Sequence, residues 1–248
     1  MAYVSWEVTM ECNYSCYYCT NLDKSIKPIP KEDIEPFIIS IKERFPSEEV
    51  FVFGGEPFVH PHIEYIIQTF NKHKVDYVIQ TNLSKKSVHV MNKIADPFKI
   101  NISVHPTEAT LAQVVDCFNK IPPNASVSLV DVMYVGKESI NYYMAVRKFA
   151  PKVTYLTPVG DFGDGVSDNL LVEYNEMRHN IAWNHTINFE QVKQLGRYRS
   201  VVWGDKDFSL KGKDCLLVDN YYYDASLECN DCCYRENNNG VCPHDKCF

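Results

Sequence analysis

Short runs of β-branched and aromatic residues alternate with stretches of helical periodicity from the start of the chain to about residue 157. The runs predict six strands, at residues 3–9, 49–53, 75–80, 99–104, 126–133 and 152–156. Apolar residues recurring every three or four positions predict helices over residues 31–45, 61–73, 85–95, 108–120 and 138–149. His60-Pro61 and Thr107-Glu108 mark the starts of the second and fourth helices. Strands that alternate with helices are joined by crossovers, right-handed by rule, and so build a parallel sheet. The expected fold is therefore α/β: a partial (β/α)6 TIM-like barrel with a short Cys-rich C-terminal extension. Periodicity alone leaves an open doubly wound sheet as the other arrangement.

The pattern changes after Pro158. Residues 159–167 contain Gly160, Gly163 and Gly165 among acidic residues and read as a loop. From residue 211 onward the chain is rich in Cys, Asn and Asp and poor in aliphatic residues. Such a segment buries too little apolar surface to fold alone and needs a metal or the main domain to hold it. The expected division is a barrel core over 1–160, a connecting and capping segment over 161–210, and a Cys-rich segment over 211–248.

Composition narrows the function. With 45% hydrophobic and 23% charged residues, the chain has the balance of an ordinary globular protein. It has no apolar run of membrane-spanning length, and Met1–Glu7 lacks the pattern of a secretory signal, so no membrane contact and a cytoplasmic location are expected. A net charge of −7 argues against nucleic acid as a partner. The basic stretches at Lys85-Lys86 and Lys193–Arg199 read as solvated helix faces.

Ten cysteines stand out in such a chain. In a reducing compartment, clustered thiols point to metal or redox chemistry rather than disulfides. Cys117 lies alone in an apolar helical stretch and reads as a packing residue. The other nine form two groups, at 12/16/19 and at 215/229/232/233/242/247.

Cys12, Cys16 and Cys19 follow the first predicted strand with the spacing C-x3-C-x2-C, close enough to converge from one loop. Iron–sulfur cubanes are ordinarily tied by four thiolates; three leave one iron open to a substrate or cofactor. A zinc knuckle would want a fourth Cys or His nearby, and the next His is His60.

This spacing resembles the signature of the radical SAM superfamily. The resemblance implies a 4Fe-4S cluster at Cys12, Cys16 and Cys19 with S-adenosylmethionine (SAM) chelated at its open iron. Reduction would then yield methionine and a 5′-deoxyadenosyl radical. An aromatic residue usually precedes the third Cys and packs near the adenine, a place taken here by Tyr18.

Phe53-Gly54-Gly55-Glu56-Pro57 follows the second predicted strand, where βα loops open the site of a barrel. Two glycines allow close approach of backbone to a ligand. Gly54, Gly55, Glu56 and Pro57 are similar to the family's Gly-Gly-Glu motif, implying that Glu56 accepts a hydrogen bond from the methionine amino group. Asn82 and Ser103, ending the third and fourth predicted strands, are carried over as contacts to the methionine carboxylate or ribose. His105 reads either as a group facing the ligand or as a strand-end residue before Pro106. Asp131 and Tyr134 read as substrate or ribose contacts.

Cys215 and Cys229 bracket a stretch whose core, residues 221–227, reads as a tight hairpin. This resembles the auxiliary-cluster extension called SPASM or its shorter twitch form. Asp224 stands where that extension has its turn glycine, and Asp tolerates turns well. The implied ligands are Cys215 and Cys229 with Cys242, Cys247 and Cys232; Cys232 and Cys233, being adjacent, are unsuited to share one cluster. Structural zinc at this second site remains the alternative.

The implied activity is reductive SAM cleavage followed by hydrogen abstraction from a peptide or small metabolite, ending in oxidation, epimerisation or cross-linking. The implied electron donor is a flavodoxin or ferredoxin. Two other readings remain: an activating enzyme that installs a glycyl radical on a partner protein, and a non-catalytic iron–sulfur or zinc protein. Gly54-Gly55-Glu56 speaks against the last, since an electron carrier has no use for an amine-binding loop.

Overall fold

The computed structural model describes residues 3–19, 28–150, 154–158, 220–223 and 229–230. Contacts group Met1–Gly160 with Asp219–Asp231, and all of the described residues fall in that unit.

Six strands run in the predicted order: β1 (Tyr3–Thr9), β2 (Val50–Gly54), β3 (Tyr77–Thr81), β4 (Phe98–Val104), β5 (Ala125–Tyr134) and β6 (Thr154–Pro158). The helices between them are α1 (Lys31–Arg44), α2 (Ile63–His73), α3 (Lys85–Met91), α4 (Leu111–Asn119) and α5 (Ser139–Val146). A short 3₁₀ turn at Pro57–Val59 precedes α2, and Pro57 suits its first position because the missing N–H has no partner to lose. β7 (Asn220–Tyr223) pairs parallel to β1, and β8 (Cys229–Asn230) pairs antiparallel to β7.

The sheet order is β6-β5-β4-β3-β2-β1-β7-β8. From β1 to β6 each strand neighbours its successor and all pairs are parallel. A doubly wound sheet reverses its strand order at a switch point; this one does not. Successive right-handed crossovers without reversal put every helix on the same face, the arrangement of a TIM-like barrel left open. The helices pack on one another in sequence, α1 on α2, α3 on α4 and α4 on α5.

Burial follows the pleat. In β4, Phe98, Ile100, Ile102 and Val104 are buried, while Lys99, Asn101 and Ser103 are half-exposed on the other face. In β1, Val4, Trp6 and Val8 point to the helix layer, where Trp6 meets Phe37 of α1 edge-on at 4.9 Å and Phe70 of α2 at 6.2 Å. Tyr134 is wholly buried with Val130 and Val132, so it belongs to this packed face and not to the open one, where Asp131 lies half-buried. The open face and the carboxyl ends of the strands are left for chemistry.

Among the described residues, no helix is long and apolar enough to cross a membrane.

Candidate active site

The loop after β1 carries the three thiols. Cys12 and Cys16 are half-buried and Cys19 is exposed. Two sets of contacts fix this loop.

Its root is held by the ends of β2 and β3. The N–H of Gly55 donates to the carbonyl of Thr9 at 2.7 Å, and that of Glu56 to the carbonyl of Glu11 at 2.8 Å. A Cβ on Gly54 would lie 2.2 Å from the Thr9 oxygen, and one on Gly55 2.2 Å from the Glu11 oxygen; Gly54 also has φ +131°. The glycines admit the backbone of residues 9–11, and only residues without a Cβ fit there.

Glu56 is fully buried. Its Oε1 accepts from the Phe58 N–H (3.1 Å) and the Thr81 hydroxyl (2.9 Å), and its Oε2 from the Asn82 N–H (2.6 Å). Burial raises its carboxyl to about 7, opposed by these three donors. The expected amine-binding group is thus engaged by protein donors, and what it joins is the 3₁₀ turn and the end of β3. Asn82 continues the chain of contacts, its Nδ2 donating to Asn13 Oδ1 at 3.0 Å and to Cys12 Sγ at 3.8 Å. The N–H of Tyr14 also donates to Cys12 Sγ, at 3.4 Å.

The far side of the loop is held by the segment after β4. Ser15 N–H donates to Glu108 Oε2 at 3.1 Å. His105 Nδ1 lies 3.5 Å from Cys16 Sγ and 3.0 Å from the Tyr18 hydroxyl, and its ring stacks on Tyr18 at 6.0 Å and 11°. Burial lowers His105 to about 4, so its imidazole is neutral, and raises Tyr18 above its ordinary range. His105 thus joins the end of β4 to Cys16 and Tyr18 of the cysteine loop. The Cys16 thiol is raised to about 12, chiefly by burial with the Glu108 carboxylate adding to it. A bound metal reverses that balance, since only the thiolate ligates.

Ser103 stands half-buried on the open face of β4, accepting from Gln80 Nε2 at 2.5 Å. Cys117 is buried in α4, as a packing residue should be; it borders a cavity of about 200 Å³ shared with Asn13, Tyr14, Ser84, Lys85 and Glu108 behind the loop. Cys229 begins β8, opposite Tyr223. Residues 220–223 and 229–230 thus pair as a hairpin on the edge of β1, while the turn with Asp224, and Cys215, Cys232, Cys233, Cys242 and Cys247, lie outside the described residues.

The donor set suits an iron–sulfur cluster. It consists of three thiols from one loop, one of them facing two N–H donors, as ligand thiolates in such clusters do. Among the described residues no three His, Cys, Asp or Glu side chains converge on a single ion. A cubane takes one thiolate per iron, so the fit rests on the donor set rather than on a point of convergence.

Comparison with known proteins bears on this site directly. Residues 6–118 match the radical SAM superfamily. The chain is 31% identical over 116 residues to a protein from Pyrococcus horikoshii named probable GTP 3′,8-cyclase, covering 45% of this chain and 37% of that one. It is 27% identical over 107 residues to its namesake from Thermococcus kodakarensis, covering 40% and 33%. The chain thus spans about a third of the length of these curated relatives. Among solved structures it resembles SuiB of Streptococcus suis bound to S-adenosylmethionine, with a TM-score of 0.61 at 13% identity, covering 99% of this chain and 63% of that one. It also resembles anSMEcpe with bound AdoMet and Cp18Cys peptide, with a TM-score of 0.63 at 12% identity, covering 98% and 76%. These structural likenesses establish the fold.

Proposed function

We propose, on the match of residues 6–118 to the radical SAM superfamily, that the chain cleaves SAM reductively and removes a hydrogen atom from a peptide or small-metabolite substrate. The observation that carries this reading is the loop of Cys12, Cys16 and Cys19 at the carboxyl end of β1, strapped to β2, β3 and β4. A 4Fe-4S cluster held there, together with SAM, would supply reductive cleavage of a carbon–sulfur bond to methionine and a 5′-deoxyadenosyl radical.

The protein's part is binding. Cys12, Cys16 and Cys19 hold the cluster. Tyr18, held by His105 and Thr107, offers a ring face for the adenine. Ser103, beside Gln80 on the open face of the sheet, offers a hydroxyl for the methionine carboxylate or ribose. The substrate would then lie over the same face, near Asp131.

A second metal site at the C-terminus, drawn from Cys215, Cys229, Cys232, Cys242 and Cys247, would favour oxidation or cross-linking, because a second cluster can take up the electron left when the substrate radical is oxidised; epimerisation, which is redox-neutral, would instead need a hydrogen atom returned to the radical. A flavodoxin or ferredoxin supplies the reducing electron.

The test is product analysis. Anaerobically reconstituted protein with dithionite and SAM should form 5′-deoxyadenosine, and a Cys12/Cys16/Cys19→Ala variant should form none. Wild-type protein that is loaded with iron yet yields no 5′-deoxyadenosine would refute the reading.

A further inference from the structure

The side-chain amide of Asn82 has all of its hydrogen-bonding positions filled. Oδ1 accepts from the Ser84 N–H at 3.0 Å and the Ser87 hydroxyl at 3.3 Å; Nδ2 donates to Asn13 Oδ1 at 3.0 Å and to Cys12 Sγ at 3.8 Å. This orientation is forced. A backbone N–H can only donate, so turning the amide over would set its NH₂ against the Ser84 N–H. The backbone is fixed as well, because the Asn82 N–H is bound at 2.6 Å to the buried carboxylate of Glu56. An N–H therefore faces the Cys12 sulfur as a consequence of the fold, at the long end of N–H···S distances.

We propose that Asn82 is a positioning residue of the metal centre, its clamped amide holding Cys12 and raising the reduction potential of the cluster bound there, with Glu56 as the strut behind it. This rests on Cys12, Cys16 and Cys19 being the cluster's ligands. It places Asn82 against a ligand sulfur, one step away from the SAM contact expected of it. The physical cause is charge: ligand sulfurs become more negative when the cluster gains an electron, so a donor aimed at one of them stabilises the reduced state more than the oxidised one.

The experiment is an anaerobic redox titration of the reconstituted full chain, followed through the EPR signal that the Cys12/Cys16/Cys19→Ala variant lacks. Asn82→Asp keeps an acceptor for Ser84 and Ser87 but turns an oxygen toward Cys12. Asn82→Leu removes the donor without adding charge. Both should keep their iron and titrate at a more negative potential than wild type. Ser87→Ala, which leaves the Nδ2 contact intact, should not shift. Iron-loaded Asn82 variants with the wild-type potential would overturn the proposal and leave the cluster assignment standing, whereas wild type that binds no iron would overturn both. If the variants lose their cluster, pulsed EPR of wild type labelled with ¹⁵N in its asparagine side chains decides the matter: a coupling to the reduced cluster is expected, and its absence overturns the proposal.

Discussion

Gly55 sits so close to Glu11 that an added Cβ would fall 2.2 Å from the Glu11 carbonyl oxygen, far inside any non-bonded carbon–oxygen contact. The Gly-Gly-Glu segment is therefore first a fastening for the cysteine loop.

Gly55→Ala must push the loop root away from β2. Overpacking of this kind costs about 1–3 kcal/mol. For a chain of this size each kcal/mol lowers Tm by roughly 2–4 °C. The variant should also retain less iron after reconstitution, measured by iron and sulfide counts beside a thermal melt.

Burial raises the Glu56 carboxyl from 4.5 to about 7. Between those values the folded chain holds a proton that the unfolded chain has lost, so stability should decline as pH rises through the window and level off above it. Urea unfolding at a series of pH values should show the decline in wild type and lose it in Glu56→Gln. That variant also turns an NH₂ toward protein donors and should be less stable by about 1–3 kcal/mol at pH 8. A wild-type profile rising across the same window would contradict this account.

Tyr18 presents both a ring and a hydroxyl. Tyr18→Phe keeps the stack on His105 and should leave SAM affinity within about twofold, whereas Tyr18→Ala removes a stacking surface worth about 0.5–1.5 kcal/mol and should weaken SAM binding up to roughly tenfold. Isothermal titration with the reconstituted protein separates the two variants, and equal losses would show that the hydroxyl, not the ring, matters.

Ser103 faces the open side of the sheet, so Ser103→Ala should change Tm little. Losing a hydrogen bond to a charged carboxylate, worth about 1.5–3 kcal/mol, should raise KM for SAM by roughly tenfold or more. An unchanged KM would remove Ser103 from the cofactor site.

Much of the fold was legible because it is local. The alternation of Val4, Trp6 and Val8 with Ser5, Glu7 and Thr9 marks β1 to its ends. The helix expected at 61 starts at Ile63, and the 3₁₀ turn at Pro57–Val59 ahead of it was not foreseen, three residues being too few to show a period. The fourth helix was expected at 108, but Thr110 caps it through a reciprocal pair with Gln113, a T-x-x-Q pattern readable in the sequence and overlooked in favour of Thr107-Glu108. The open barrel could not be told from a doubly wound sheet because strand order is a long-range property. The same holds for Asn220–Tyr223 joining the edge of β1.

At the site, the three cysteines were legible because one loop carries them all. The straps were not: Asn82 to Cys12, Glu108 to Ser15 and His105 to Cys16 each join residues 70 or more apart in sequence.

The most direct test of the central claim is the EPR spectrum of the reduced, anaerobically reconstituted protein before and after SAM is added. A cluster held by Cys12, Cys16 and Cys19 with one iron open should change its signal when SAM binds, and the Cys12/Cys16/Cys19→Ala variant should lose that SAM-sensitive signal. A spectrum with no component that responds to SAM, or a SAM-sensitive component that survives loss of the three thiols, would contradict the account.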